Sequence, residues 1–251
     1  MTKRWGGCAI TAGVLAAVLV AAVLGGPWLL HRAGLDEAAL PWGPDCTVDV
    51  DGESVGLDQE QAMAATTAVA LRWSGSEATD PEGVPPEVLR ALADGPTEDA
   101  GPILTCGTGS DTALAPEAMT ESGLTPRAET VLAAMGEVFG EQSLGGYAPG
   151  GIDSGHGSGS AHYDGRAIDV FYRPVSEENR RAGWLLAHWL VAHAMELELA
   201  VVIFDDRIWS SRFAPAGWRD YEVSDPDNLI LRHVDHVHVD VRPGTPGTGI
   251  S

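Results

Sequence analysis

From Trp5 to Leu30 the chain reads WGGCAITAGVLAAVLVAAVLGGPWLL, without one charged side chain. As a helix, a run of that length crosses a hydrocarbon layer of roughly 30 Å, so everything beyond it must fold on one side of that layer. It is longer than the apolar core of a cleavable signal peptide, about 7 to 15 residues. The segment 1–34 is therefore read as an uncleaved transmembrane anchor; the alternative is a removed signal, which would leave a secreted chain. Lys3 and Arg4 precede the run and an acidic continuation follows it, an order that predicts a cytoplasmic N-terminus and an extracytoplasmic remainder. Cys8 lies ahead of the apolar core, whereas a lipoprotein cysteine would follow it.

An extracytoplasmic fold is an oxidising one, and Cys46 and Cys106 are the cysteines left in it. A disulfide between them is expected, against two free thiols. Closing about 60 residues would contribute about 4 kcal/mol by loop-closure entropy. The formal net charge is −21 and Lys3 is the only lysine, so the positive charge is mostly scattered arginine, and nucleic acid, which needs a basic face, is not expected as a partner.

The region 35–120 is read as a small, mostly helical extracytoplasmic unit and linker. Thr47 to Leu57 alternates about Asp51-Gly52, a hairpin signal. The aspartates there do not follow the spacing of an EF-hand calcium loop. Asp58 and Gln61 form a capping-box pattern ahead of a helix, PEVLRALAD predicts a second helix, and Gly107 to Glu121 reads as linker.

The region 121–243 carries the chemistry, and 244–251 reads as a disordered tail. Thr125 and Pro126 open a helix, a Gly/Ser-rich loop leads to SAHYDGRAID, and AIDVFY reads as a strand. Ser176 starts a long helix, LAVVIF and RIW read as strands, and HVDHVHVDV is the last. Helices and strands do not alternate regularly, which predicts an α+β fold.

A catalytic zinc takes three protein ligands from imidazole and carboxylate and keeps one position open. SAHYDGRAID offers His162 and Asp169; DHVHVD offers His236 and His238, which share a face if the segment is a strand. In a regular strand Asp235 points the other way. His188 and His193, five apart on the long helix, are expected to be core residues; His156 in the Gly/Ser loop and His31 at the membrane edge have no partner at ligand spacing. Trp209, Trp218 and Tyr221 are expected to pack the sheet rather than stack on a sugar.

Ser160-x-His162-x-x-Gly165-x-Ala167-x-Asp169 resembles the SxHxxGxAxD signature of zinc D-alanyl-D-alanine carboxypeptidases. His236-Val237-His238 is similar to the HxH motif of the wider group that joins lysostaphin, those peptidases and sonic hedgehog. The stretch from about Gly123 to Arg242 also looks like secreted actinobacterial domains of this fold with GRAxD and DHVHV motifs. The resemblance implies a hedgehog/DD-peptidase-like domain, a small antiparallel sheet with flanking helices, bound to Zn2+ through His162, Asp169 and His238. It implies an extracytoplasmic peptidase that cleaves peptidoglycan peptides by metal-activated water. Asp235 stands where the carboxypeptidases keep a general base, His236 where lysostaphin-like relatives keep a non-ligand histidine, and His233 where murein endopeptidases keep a further one. Relatives read GYR ahead of the signature, with an arginine for the substrate carboxylate, whereas this chain has Ala148; Arg166 or Arg207 would have to substitute, with Ser160 nearby. Without such a cation an endopeptidase is favoured, or a zinc-containing domain that binds cell-wall material or a protein partner and cleaves nothing.

Overall fold

The computed structural model describes residues 43–97, 101–107, 109 and 113–244. The segment read as an anchor and the tail from residue 245 lie outside the described residues. Among those described, no helix is long and apolar enough to cross a membrane.

The first part is built on the expected hairpin. Strand β1 (Cys46–Val50) turns through Asp51 and Gly52 into β2 (Glu53–Leu57). Both turn residues have positive φ, 55° and 85°, as a turn matching strand twist requires. Helix α1 (Gln59–Trp73) starts in the capping box: Gln61 N donates to Asp58 Oδ1 over 2.8 Å and Asp58 N to Gln61 Oε1 over 3.0 Å. Helix α2 is Pro86–Asp94. The region is less helical than its sequence suggests, because β3 (Leu104–Cys106) adds a third strand on the free side of β1. Three residues are too few to display a two-residue period. In that register Cys46 faces Cys106, and the two form the expected disulfide.

The second part holds α3 (Pro126–Phe139), β4 (Leu144–Gly145), β5 (Ala167–Phe171), α4 (Glu177–Ala192), β6 (Leu199–Phe204), β7 (Arg207–Ser210), β8 (Arg219–Asp220) and β9 (His236–Val241). Thr125 and Ser176 cap α3 and α4 through their hydroxyls. The strands form one antiparallel sheet in the order β4-β5-β9-β6-β7-β8. The fold class is thus α+β. Alternation divides the sheet: Ile168, Val170, Val202, Phe204, Val237, Val239 and Val241 join Trp184, Leu186 and Leu190 of α4 in the core. Residues of the other parity face a pocket.

One hydrophobic core includes residues of both parts. Indole N–H groups cross between them: Trp209 donates to Cys106 O over 3.1 Å, Trp218 to Leu104 O over 2.9 Å and Trp189 to Thr67 Oγ1 over 3.0 Å.

His188 is a core residue, as its helical spacing suggests, but a costly one. It is fully buried, both ring nitrogens lack a hydrogen-bond partner among the described residues, and Trp184 stacks on it at 5.3 Å. Burial pushes its pKa down to about 3, so the folded protein keeps the ring neutral while the unfolded chain takes up a proton below about pH 6.5. Stability is therefore lost as pH falls from 6.5 toward 3, by up to about 1.4 kcal/mol per unit. His188→Leu is expected to raise stability by about 1–3 kcal/mol at neutral pH, and by more at pH 5, in urea unfolding. An equal gain at both pH values would contradict the burial of a neutral ring.

Candidate metal centre

The antiparallel register brings the chemistry to one face. Asp169 lies opposite His238, Phe171 opposite His236 and Ala167 opposite Asp240, and directly opposed residues share a face. His162 arrives from outside the sheet. Ser160 caps a single 3-10 turn, Ala161–Asp164, its hydroxyl accepting from His162 N over 3.4 Å. Gly165 then reverses the chain at φ 65°, where a Cβ would sit 2.5 Å from Gly123 O. The spacing of the sequence motif is thus a cap, a turn and a left-handed glycine that fold His162 back over Asp169.

His162 Nε2 lies 3.0 Å from His238 Nδ1 and 3.2 Å from Asp169 Oδ1, and His238 Nδ1 lies 3.1 Å from Asp169 Oδ1. Zn–N bonds of about 2.0–2.1 Å in tetrahedral geometry place neighbouring donors about 3.3 Å apart, so this triangle is close to one face of such a polyhedron. The far nitrogens are engaged as well: His162 Nδ1 is 2.8 Å from Gly146 O, and His238 Nε2 is 3.7 Å from Asp240 Oδ2. With protons on those far nitrogens, three lone pairs converge on one point, which a cation satisfies. His156, His162 and Asp169 form a second set, one ligand atom each, within 4.8 Å of one another. The buried His/His/Asp group can hold a metal.

Electrostatics favour positive charge here. Burial raises the Asp169 carboxyl, but hydrogen bonds from His162 and His238 outweigh it and hold the group far below the usual carboxylate range. Burial lowers His238, yet Asp169 and Asp240 bring it up to about 9. Burial, with His236 and His238 nearby, pushes His233 down to about 3. The centre opens into a pocket of about 850 Å³.

Asp235 does not enter a bent strand, because β9 starts only at His236. Its Oδ1 is 2.7 Å from His236 Nδ1 and its Oδ2 accepts from Arg173 Nε over 2.7 Å. Burial raises its pKa, but His236 and Arg173 bring it below the ordinary value. His236 faces the pocket with Nε2 3.9 Å from Asp169 Oδ1, and His233 packs its ring 4.6 Å from that of His236. Ser160 and His233 line the pocket; Asp235, Arg166 and Arg207 do not. Arg166 donates to Val241 O and Asp164 Oδ2, both over 3.0 Å, beside a separate depression. Arg207 pairs with Asp220.

Three pocket residues escape the sequence reading. Arg173 lines the pocket, its guanidinium carbon 4.1 Å from the Phe171 ring centre; the two-residue period from Asp169 through Phe171 carried that signal. His156 does have partners at ligand spacing, since it belongs to the set with His162 and Asp169; its ring stacks on His162 at 3.9 Å, and its backbone N–H donates to Tyr163 Oη over 2.9 Å. An irregular glycine-rich loop offers no period that could reveal this. Tyr221, expected to pack the sheet, lies at the pocket with its ring edge-on to His233 at 5.1 Å.

Residues 120–229 match the family model described as VldE, C-terminal domain. That span contains His156, His162 and Asp169 and ends before His233, Asp235, His236 and His238. No curated protein and no solved structure matches the chain.

Proposed function

We propose that the region 121–243 is an extracytoplasmic zinc-dependent peptidase acting on peptidoglycan peptides, with His162, Asp169 and His238 as ligands. The observation that carries this is the triangle of His162 Nε2, Asp169 Oδ1 and His238 Nδ1, with edges of 3.0 to 3.2 Å beside a pocket. Two imidazoles and a carboxylate suit zinc. The edges of that set fall well inside the 4.8 Å that bounds the set with His156, which makes His238 the better third donor. Zinc held by these residues would supply Lewis acidity for acidifying a water and polarising a carbonyl.

The protein's own residues handle the proton. His236 Nδ1 is held by Asp235, which Arg173 holds in turn, and this leaves His236 Nε2 facing the ligands. In hydrolysis, water oxygen bonds the carbonyl carbon and the C–N bond breaks. His236 takes the water's proton and returns it to the leaving nitrogen. Asp235 is then a positioning residue.

The disulfide supports an oxidising compartment, and the apolar run Trp5 to Leu30 supports a membrane anchor. Residue 148 is alanine, neither Arg166 nor Arg207 reaches the pocket, and Arg173 commits its Nε to Asp235. These placements favour an endopeptidase, whose substrate has no free carboxylate at the scissile bond. They also motivate the second reading, a zinc-containing domain that binds cell-wall material or a protein partner.

The test is to strip the full chain with a chelator, restore one equivalent of zinc, and follow defined muropeptides, cross-linked and uncross-linked, by chromatography. Product only after zinc is restored is expected. A fully zinc-loaded protein that cleaves none of them would favour the binding domain.

A further inference from the structure

Across the sheet, the row that begins Asp169–His238 continues through Ile203 to Ile208, and Asp240 continues to Val201. These side chains share the face of the metal centre. Ile203 is buried, and Val201 and Ile208 are half-buried along the pocket wall. Ile230 and Leu231 complete this side from the loop before β9, and they are 57% and 41% exposed. Their display is not slack. Asn228 Oδ1 accepts from the N–H groups of Ile230 and Leu231 over 3.0 and 3.2 Å, and Arg232 grips Asp206 through Nε and Nη2 over 2.9 and 2.6 Å. A held loop therefore presents aliphatic side chains to water at the lip of the pocket, where they stay uncovered until something apolar arrives.

The opposite side differs. Beside His162 the wall is Gly155, Gly157, Ser158, Gly159 and Ser160, which offers little side chain to select a substrate. Asp169, Asp240, Glu222 and Arg173 also line the pocket, but a carboxylate seated among the aliphatic side chains would lose its hydration without a partner there.

Resting on the peptidase reading, we infer that Val201, Ile203, Ile208, Ile230 and Leu231 form a subsite for an aliphatic side chain next to the scissile bond. The substrate class is a peptide with such a residue there, and an acidic one is rejected. One methylene in a hydrophobic pocket is worth roughly 10- to 200-fold in kcat/KM, so an acetylated Leu-Ala dipeptide is expected to outperform its Ala-Ala counterpart by at least about tenfold, and Asp-Ala by more.

The experiment uses the zinc-loaded full chain with those three dipeptides, read by product formation and by anisotropy of fluorescein-labelled versions. Variants are Ile208→Thr and Ile230→Ser, the second at an exposed position where folding is not at stake. Preference for leucine in the parent, reduced about tenfold or more in either variant that folds, is expected. Equal cleavage of all three peptides, or an Ile230→Ser protein with unchanged preference, would overturn the subsite. Leucine-selective binding without cleavage would support the subsite, and the muropeptide assay on the same sample would decide the peptidase reading separately. No binding and no cleavage of the dipeptides would overturn the subsite, while muropeptide cleavage by the same sample would keep the peptidase reading. Phosphatidylcholine vesicles captured in place of any selective peptide, with capture lost in Ile230→Ser, would overturn the subsite in favour of a lipid-facing lip.

Discussion

His236→Ala is expected to lower turnover by about 10²- to 10⁴-fold, the range for losing a positioned acid–base group, while zinc content and KM stay near those of the parent. The ring stands beside the ligand set without belonging to it, with Nε2 3.9 Å from Asp169 Oδ1 and Nδ1 2.7 Å from Asp235 Oδ1. Asp235 fixes the ring through one oxygen and is itself fixed by Arg173 through the other. Residues that act as one unit are strongly non-additive, so the double variant with Asp235→Ala is expected to be no slower than His236→Ala alone. If Asp235 were itself the base, Asp235→Ala would cost more than His236→Ala and the double variant would lose still more. Steady-state kinetics on a cleaved muropeptide separates these outcomes.

Gly146→Ala is expected to weaken zinc binding by at least about 10- to 100-fold, the usual range for outer groups that orient ligands, although every donor atom remains in the sequence. Gly146 has φ +80°, and a Cβ there would sit 2.3 Å from His162 Cε1 and 2.5 Å from its Nδ1. The same residue's carbonyl lies 2.8 Å from that Nδ1. One methyl group would thus push the ring off Asp169 and His238 and break the contact that orients it. Gly150→Ala is the control: its φ is +84°, but nothing among the described residues lies within 4 Å of where its Cβ would sit. It carries the backbone strain of a left-handed residue without the clash, so it is expected to keep its zinc. Equal loss in both variants, measured by competition with a chromophoric chelator, would point to strain in the loop rather than to displacement of His162.

Local signals in the sequence are legible because their physics is local. Asp51-Gly52 sets a turn, Asp58 with Gln61 caps a helix, and the two-residue period places His236 and His238 on one face. The relation between His162 and Asp169 was legible because a cap and a left-handed glycine fix the short path between them. The arginines show where such reasoning stops. Arg166 and Asp169 differ in parity along β5, so Arg166 faces away from the pocket; Arg207 pairs with Phe204 on the core side of the sheet. The alternation that turns Arg173 into the pocket turns Arg166 away from it. What Asp235 does depends on Arg173, which is 62 residues away in sequence, and no local pattern encodes that meeting. His156 sits in a loop without periodicity, and β3 is too short for alternation to appear.

The most direct test is the metal content of the full chain by mass spectrometry after equilibration with excess zinc and buffer exchange, for the parent and for His162→Ala, His238→Ala and His156→Ala. A centre made by His162, Asp169 and His238 predicts one zinc per chain in the parent and in His156→Ala, and none in His162→Ala or His238→Ala. Zinc kept by His238→Ala and lost by His156→Ala would move the site to the other triad, and a parent without zinc would contradict the metal centre itself.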